Sequence, residues 1–209
     1  MSGNQWPLIR AERAALIADL ESLPEAQWST QSLCAAWTVR EVLAHMTATA
    51  KMTTPGFLGK FIASGFRFNA MTASGVKAEL GRSVSDTLAA FRSQLDATTH
   101  PPGPAAEVMA GDMVIHSQDI RWPLRIAHTF QPEMLTLVAD FTIKSNALLG
   151  GKRRATGIKL VATDVPWVRG DGPEVQGPLG AIILALTGRK AGLTDLTGEG
   201  VSTLSERYN

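Results

Sequence analysis

Apolar residues recur with the period of an α-helix over most of the first 150 positions of the chain. Four stretches carry an apolar stripe with polar residues opposite, and a fifth helix begins near Ala105 and stops or kinks at Pro123. In the first stretch, Arg10 and Arg13 fall mostly on the polar side. The pattern predicts a bundle of about four to five helices, whose clearest stretches are residues 7–23, 38–51, 83–97 and 131–150.

Beyond residue 156 the pattern changes to short alternating runs. Residues 158–163 and 166–169 are typical of strands, a turn follows at 170–173, and an apolar helix is predicted at 177–189. The sequence therefore predicts a mainly α protein. Its two parts are a helical bundle over residues 1–150 and a small α/β extension over residues 151–209.

The segment 52–82 is apolar but interrupted by glycines. Its large apolar residues lie at helical spacings and favour a short helix, with Phe57, Leu58, Phe61, Ile62 and Phe66 as its members. Such a segment could line a pocket, close over a site or form a dimer surface, and irregular packing is an equal alternative. The sequence leaves these alternatives open, including a homodimer.

Composition narrows the classes of partner. The hydrophobic fraction of 44% is enough for a substantial core, and the net charge of +1 argues against nucleic acid or an acidic membrane surface as a partner. The single cysteine, Cys34, excludes an internal disulfide framework and fits a reducing cytoplasm. No apolar run reaches membrane-spanning length and no signal peptide is visible, so we expect a cytoplasmic protein.

The candidate chemistry lies in residues 111–125. Asp112 and His116 are four apart and therefore share one face of a helix, where both can reach one divalent metal. His45, on the second predicted helix, falls near the apolar side and could complete the site. A surface ion pair, or a histidine that is simply satisfied in the core, would give the same spacing.

Two further carboxylates could support these histidines. Glu41 lies one turn before His45 and could orient its ring, although Glu41 also completes a capping box with Thr38 at the start of that helix. Asp119 could orient the ring of His116. Equally, it could form a surface ion pair with a neighbouring arginine, Arg40 or Arg121.

Three stretches together resemble one family. SLCAAWTVREVLAHM (32–46) and GDMVIHSQDIRWPLR (111–125) resemble the two metal-bearing helices of the mycothiol-dependent maleylpyruvate isomerase branch of DinB-like four-helix bundles. ATDVPWVRGDGPEVQGPLGAIILALTGR (162–189) resembles the C-terminal extension of its uncharacterised members. The resemblance implies a DinB-like bundle with His45, Asp112 and His116 as metal ligands, although the family pattern has glutamate at the position of Asp112.

Two imidazoles and one carboxylate favour zinc, while nickel and iron accept the same ligands. The resemblance implies that the metal activates a low-molecular-weight thiol, mycothiol, for isomerisation or conjugation of a small electrophile. Arg169 and Arg189 could hold carboxylates of the thiol or the substrate. Two alternatives stay open: a hydrolase, such as an amidase, that uses metal-activated water, and a binding or regulatory module without catalysis.

Overall fold

The computed structural model describes residues 5–146 and 149–208. The chain divides into two compact units, residues 1–129 and 130–209. The protein is mainly helical, with a small three-stranded sheet in the second unit, as the sequence predicts. Within the described residues, no helix is both long enough and apolar enough to cross a membrane.

The first unit is a bundle of α-helices. It contains α1 (Trp6–Glu21), α2 (Val39–Ala50), α3 (Thr54–Ala63), α4 (Phe68–Glu79), α5 (Val84–Arg92) and α6 (Ala105–Leu124), with a 3₁₀ turn at Glu25–Ser29. Helices α1 and α2 each pack against both α5 and α6, and α4 covers another side of α2. The core between them is aliphatic and sulfur-rich, with Leu16, Leu43, Met46, Met109 and Met113 among its most buried side chains.

Local signals in the sequence fix the starts of two bundle helices. Thr38 accepts a hydrogen bond from the backbone of Glu41, and the Glu41 carboxylate accepts one in return from the Thr38 backbone, which confirms the predicted capping box. Ser83 and Asp86 form a second box at the start of α5. Helix α5 ends at Arg92, several residues before the predicted end at residue 97.

The segment 52–82 forms two helices rather than one. The apolar helix expected from the sequence is α3, and α4 follows it immediately. Gly65 and Phe66, which lie between them, both adopt left-handed backbone conformations with φ of 65° and 59°. Helix α4 buries Met71, Gly75 and Val76.

The second unit begins with a helix that the sequence assigned to the bundle. It contains α7 (Pro132–Thr142), α8 (Gly151–Ala155), α9 (Leu179–Leu186) and α10 (Gly200–Glu206), with a 3₁₀ turn at Lys190–Asp195. Because α7 packs against α9, the division by contacts falls before α7, whereas the expected domain boundary at 150 lies after it. The predicted helix over 131–150 is shorter in the structure, and its positions 147 and 148 lie outside the described residues.

The sheet has the strand order β2–β1–β3, where β1 is Lys159–Ala162, β2 is Val168–Arg169 and β3 is Glu174–Gly177. Strands β1 and β2 pair antiparallel, and β1 and β3 pair parallel with Leu160 opposite Val175. The first two strands match the predicted ones, whereas β3 was not predicted. Helix α9 is apolar on all sides and is buried throughout except at Gly180.

Candidate metal centre

Helices α2 and α6 bring three potential metal ligands together inside the first unit. His45 comes from α2, and Asp112 and His116 come from consecutive turns of α6. One donor atom from each of the three lies within 4.8 Å of the others. His45 Nε2 is 3.8 Å from Asp112 Oδ1, and the two imidazole rings meet edge to face with centroids 4.8 Å apart. The three residues that the sequence analysis selected are therefore neighbours.

A buried carboxylate fixes the ring of His116. Asp119 Oδ2 is 2.8 Å from His116 Nδ1, and the Asp119 side chain is completely buried. A carboxylate at this nitrogen favours the tautomer in which Nδ1 carries the proton and donates it, which leaves Nε2 as the lone-pair donor. Of the two roles that the sequence left open for Asp119, the structure contains the contact with His116. Of the two arginines named as alternatives, Arg121 contacts Asp19 and Arg40 donates to Thr87.

The Asp112 carboxyl lies in surroundings that disfavour its charge. Burial raises its pKa to about 6, although the nearby His116 and the guanidinium of Arg13 act in the opposite direction. The side chain is only 9% exposed. In the metal-free protein this carboxyl therefore takes up a proton more readily than an ordinary aspartate. A divalent cation bound beside it would favour the charged form.

Arg13 is buried, contrary to the prediction that it lies on the polar side of α1. The residue is 1% exposed, and its Nη1 lies at 2.8 Å from the carbonyl oxygen of Gln94 and 2.7 Å from that of Ala97. These carbonyls belong to the turn that follows α5. The guanidinium thus ties that turn to α1 and adds positive charge near Asp112 on α6.

An indole ring forms one wall of the cluster. The ring centroid of Trp37 lies 4.6 Å from that of His45, with 32° between the planes. Trp37 was not among the site residues predicted from the sequence, so its contact with a candidate ligand was missed. The only sequence signal was its position directly before the Thr38 cap of the helix that carries His45.

The loop that carries Trp37 is attached to α6 next to the cluster. The backbone N–H of Leu33 donates to the carbonyl oxygen of Asp119 at 3.1 Å. Within a regular helix that oxygen would accept from the residue four positions later, which is Pro123 and has no N–H. Helix α6 ends at Leu124, one residue after Pro123, which confirms the predicted stop at this proline. Pro123 also leaves the Asp119 oxygen available to accept a hydrogen bond from the loop.

The remaining candidates occupy other roles in the structure. Glu41 Oε2 accepts from both the backbone and the hydroxyl of Thr38 at 2.8 Å, so its capping role is the one present here. Arg169 lies in the second unit, where its Nε and Nη2 donate to Asp140. Arg189, in the same unit, donates from Nη1 to the carbonyl of Thr187. A role for these arginines in binding a thiol or substrate stays a prediction.

One class of helical bundle builds metal centres from inward-facing side chains on neighbouring helices. The His–Asp–His cluster on α2 and α6 has this arrangement. The sequence matches the family model described as the mycothiol maleylpyruvate isomerase N-terminal domain over residues 9–121. The chain therefore belongs to this family. The matched region contains all three residues of the cluster.

Solved structures agree with this assignment at the level of the fold. The mycothiol-dependent maleylpyruvate isomerase matches with a TM-score of 0.57 and 13% identity, over 93% of this chain and 91% of that one. A histidine-to-alanine mutant of that isomerase matches with a TM-score of 0.58 and 15% identity, with the same coverage. No curated protein matches the sequence.

Proposed function

We propose that the protein is a divalent-metal-dependent enzyme that activates a low-molecular-weight thiol for isomerisation or conjugation of a small electrophile. The observation that carries the proposal is the convergence of His45, Asp112 and His116 in a chain of this family. The thiol proposed is mycothiol, because the family and the similar structures are named for a mycothiol-dependent isomerase. The family's namesake substrate, maleylpyruvate, is the first electrophile to test.

The donor atoms of the cluster fit a divalent metal. Ligand atoms bound tetrahedrally at about 2 Å from zinc lie roughly 3.4 Å from one another. The separations here reach 4.8 Å at most, so small rotations of three side chains would bring the atoms to that spacing. Two imidazoles and a carboxylate favour zinc, and nickel or iron would accept the same set.

The chain's own residues would have different roles at this metal centre. His45, Asp112 and His116 would hold the ion, which would act as a Lewis acid and lower the pKa of a bound thiol. Asp119 would keep the ring of His116 oriented through Nδ1. Three protein ligands would leave a coordination position open for the thiol, and the ring of Trp37 would cover one side of His45.

The proposal is tested by metal content and thiol dependence measured together. Protein purified without chelators or a metal-affinity tag should carry about one metal per chain, and His45→Ala and His116→Ala should each lose it. His100→Ala is the matched control, because His100 lies outside the cluster and its Nδ1 contacts the neighbouring carbonyl oxygen of Pro101 at 2.8 Å.

The metal-loaded protein should then convert maleylpyruvate only when mycothiol is added. Turnover that needs the metal but no thiol would replace the proposal with a hydrolase that uses metal-activated water. A folded protein that takes up none of zinc, nickel and iron would contradict both enzymatic functions. In that case the histidines would be structural groups of a binding or regulatory module.

A further inference from the structure

Helix α3 exposes a set of large apolar side chains. Phe66, Leu58 and Ile62 are 67%, 58% and 54% exposed, which are the highest values among the large hydrophobic residues that the structure describes. None of the residues of α3 is buried. Isolated exposed apolar residues are common, but a contiguous group on one element marks an interaction surface.

These side chains form one continuous surface. At about 100° per residue, the four large apolar residues of α3 fall within an arc of roughly 140° on the helix. The rings of Phe57 and Phe61 stack at 5.8 Å, and Phe66 meets Phe61 edge to face at 5.5 Å. We refer to this group as the α3 surface, and it consists of Phe57, Leu58, Phe61, Ile62 and Phe66.

The backbone keeps Phe66 in this exposed position. Its φ of 59° is left-handed, a conformation that large side chains rarely adopt. The Phe66 N–H donates to the carbonyl of Phe61 at 2.9 Å and closes the end of the helix. An unfavourable backbone conformation therefore holds in solvent an aromatic ring that remains 67% exposed despite its contact with Phe61.

The charges within the segment that carries the α3 surface are of one sign. Between Lys51 and Glu79 the sequence contains no aspartate or glutamate, whereas Lys60, Arg67 and Lys77 are all cationic. The net charge of +1 for the whole chain conceals this local excess. A partner with anionic groups would complement it. A second copy of the chain would instead bring cations toward cations.

The size of the surface also limits the partner. The ten residues of α3 span about 15 Å, which is short for the roughly 800 Å² per partner of a standard protein interface. Insertion of a few aromatic and aliphatic side chains at a lipid headgroup boundary needs much less surface. Flanking lysine and arginine residues strengthen the binding to anionic lipids.

We propose that the α3 surface docks the protein reversibly onto an anionic phospholipid membrane. Its apolar side chains enter the boundary between headgroups and acyl chains, while Lys60 and Arg67 contact lipid phosphates. From the sequence, a pocket wall and a dimer surface were among the alternatives for this segment. The net charge of the whole chain argued against a membrane partner. The local distribution of charge and exposure favours a lipid partner.

The test is co-sedimentation of the full-length protein with vesicles of phosphatidylcholine alone or mixed with phosphatidylglycerol. Two double variants separate the contributions: Leu58→Ser with Ile62→Ser removes apolar side chains, and Lys60→Glu with Arg67→Glu reverses charge. A matched control combines Val168→Ser and Lys152→Glu in the second unit, where Val168 is 49% exposed. Circular dichroism verifies that every variant is folded.

We expect binding to the mixed vesicles, weakened by salt, and weak or no binding to phosphatidylcholine alone. Each α3 double variant should lower the vesicle partition coefficient by about tenfold or more, while the control binds like the parent. Absence of binding to the mixed vesicles, or equal binding by all variants, would overturn the proposal. Sedimentation velocity provides the other decisive result. A dimer that disappears in the Leu58→Ser, Ile62→Ser variant would assign the surface to a second copy of the chain.

Discussion

Replacing Asp112 with asparagine should stabilise the metal-free protein while abolishing its metal binding. Asparagine has nearly the same shape but carries no charge. In the folded parent, burial raises the pKa of this carboxyl to about 6, against an ordinary value of 3.8. At about 1.4 kcal/mol per pH unit, the charged form costs the folded state up to about 3 kcal/mol at neutral pH. This value is an upper limit, because 9% of the Asp112 side chain is exposed to solvent.

The sign of the effect gives it a characteristic pH dependence. The folded parent takes up the proton near pH 6, whereas the unfolded chain does so only near 3.8. The destabilisation is therefore full above about pH 6, declines as the pH falls through this window, and is absent below about 3.8. The variant has no such group, so the stability difference between Asp112→Asn and the parent should shrink on acidification.

Urea unfolding in the presence of a chelator, at about pH 8 and about pH 5, measures the difference. Tryptophan fluorescence reports mainly on the relevant unit, because four of the five tryptophans lie before residue 130, namely Trp6, Trp28, Trp37 and Trp122. The reasoning is refuted if the variant is less stable than the parent at the higher pH, or if the difference does not depend on pH. Added zinc should reverse the order, since only the parent gains binding free energy, about 4 kcal/mol at a thousandfold excess over Kd.

Three further substitutions test other parts of the structure. Asp119→Asn should weaken zinc affinity by about 10- to 100-fold in competition with a chelating dye, whereas Asp96→Asn at the surface should not change it. Asp19→Asn removes the carboxylate that faces the buried guanidinium of Arg121, and should cost about 2 kcal/mol in urea unfolding. A loss near zero would contradict this. Ser83→Ala should cost about 1 kcal/mol, and an unchanged midpoint would show that the cap at the start of α5 contributes nothing.

The features that the sequence predicted correctly depend on residues close together in the chain. A capping box needs two residues three positions apart, and Thr38 with Glu41 could be recognised without any knowledge of the fold. Asp112 and His116 needed only the pitch of a helix to share a face. His45 is farther away in sequence, but its position on the inner side of α2 was already indicated by its apolar neighbours.

The features that were missed depend on contacts between distant segments. Arg13 is polar and lies on an amphipathic helix, so the pattern placed it in solvent. It is buried because the carbonyl oxygens of Gln94 and Ala97, more than eighty residues away, accept its hydrogen bonds. Strand β3 has a similar origin. Its four residues, EVQG, have little strand character of their own and pair because β1 offers a parallel edge.

Pro123 shows how a correct local rule can still miss the structural consequence. The rule states that proline removes one helical hydrogen bond and so ends or bends the helix. The structure keeps Pro123 within the last turn of α6, and the oxygen left without a donor belongs to Asp119, the residue that orients His116. The backbone of Leu33 occupies that oxygen. The carbonyl oxygen that Pro123 leaves without a helical donor therefore accepts the hydrogen bond from Leu33. This bond attaches the loop that carries Trp37 beside the candidate metal ligands.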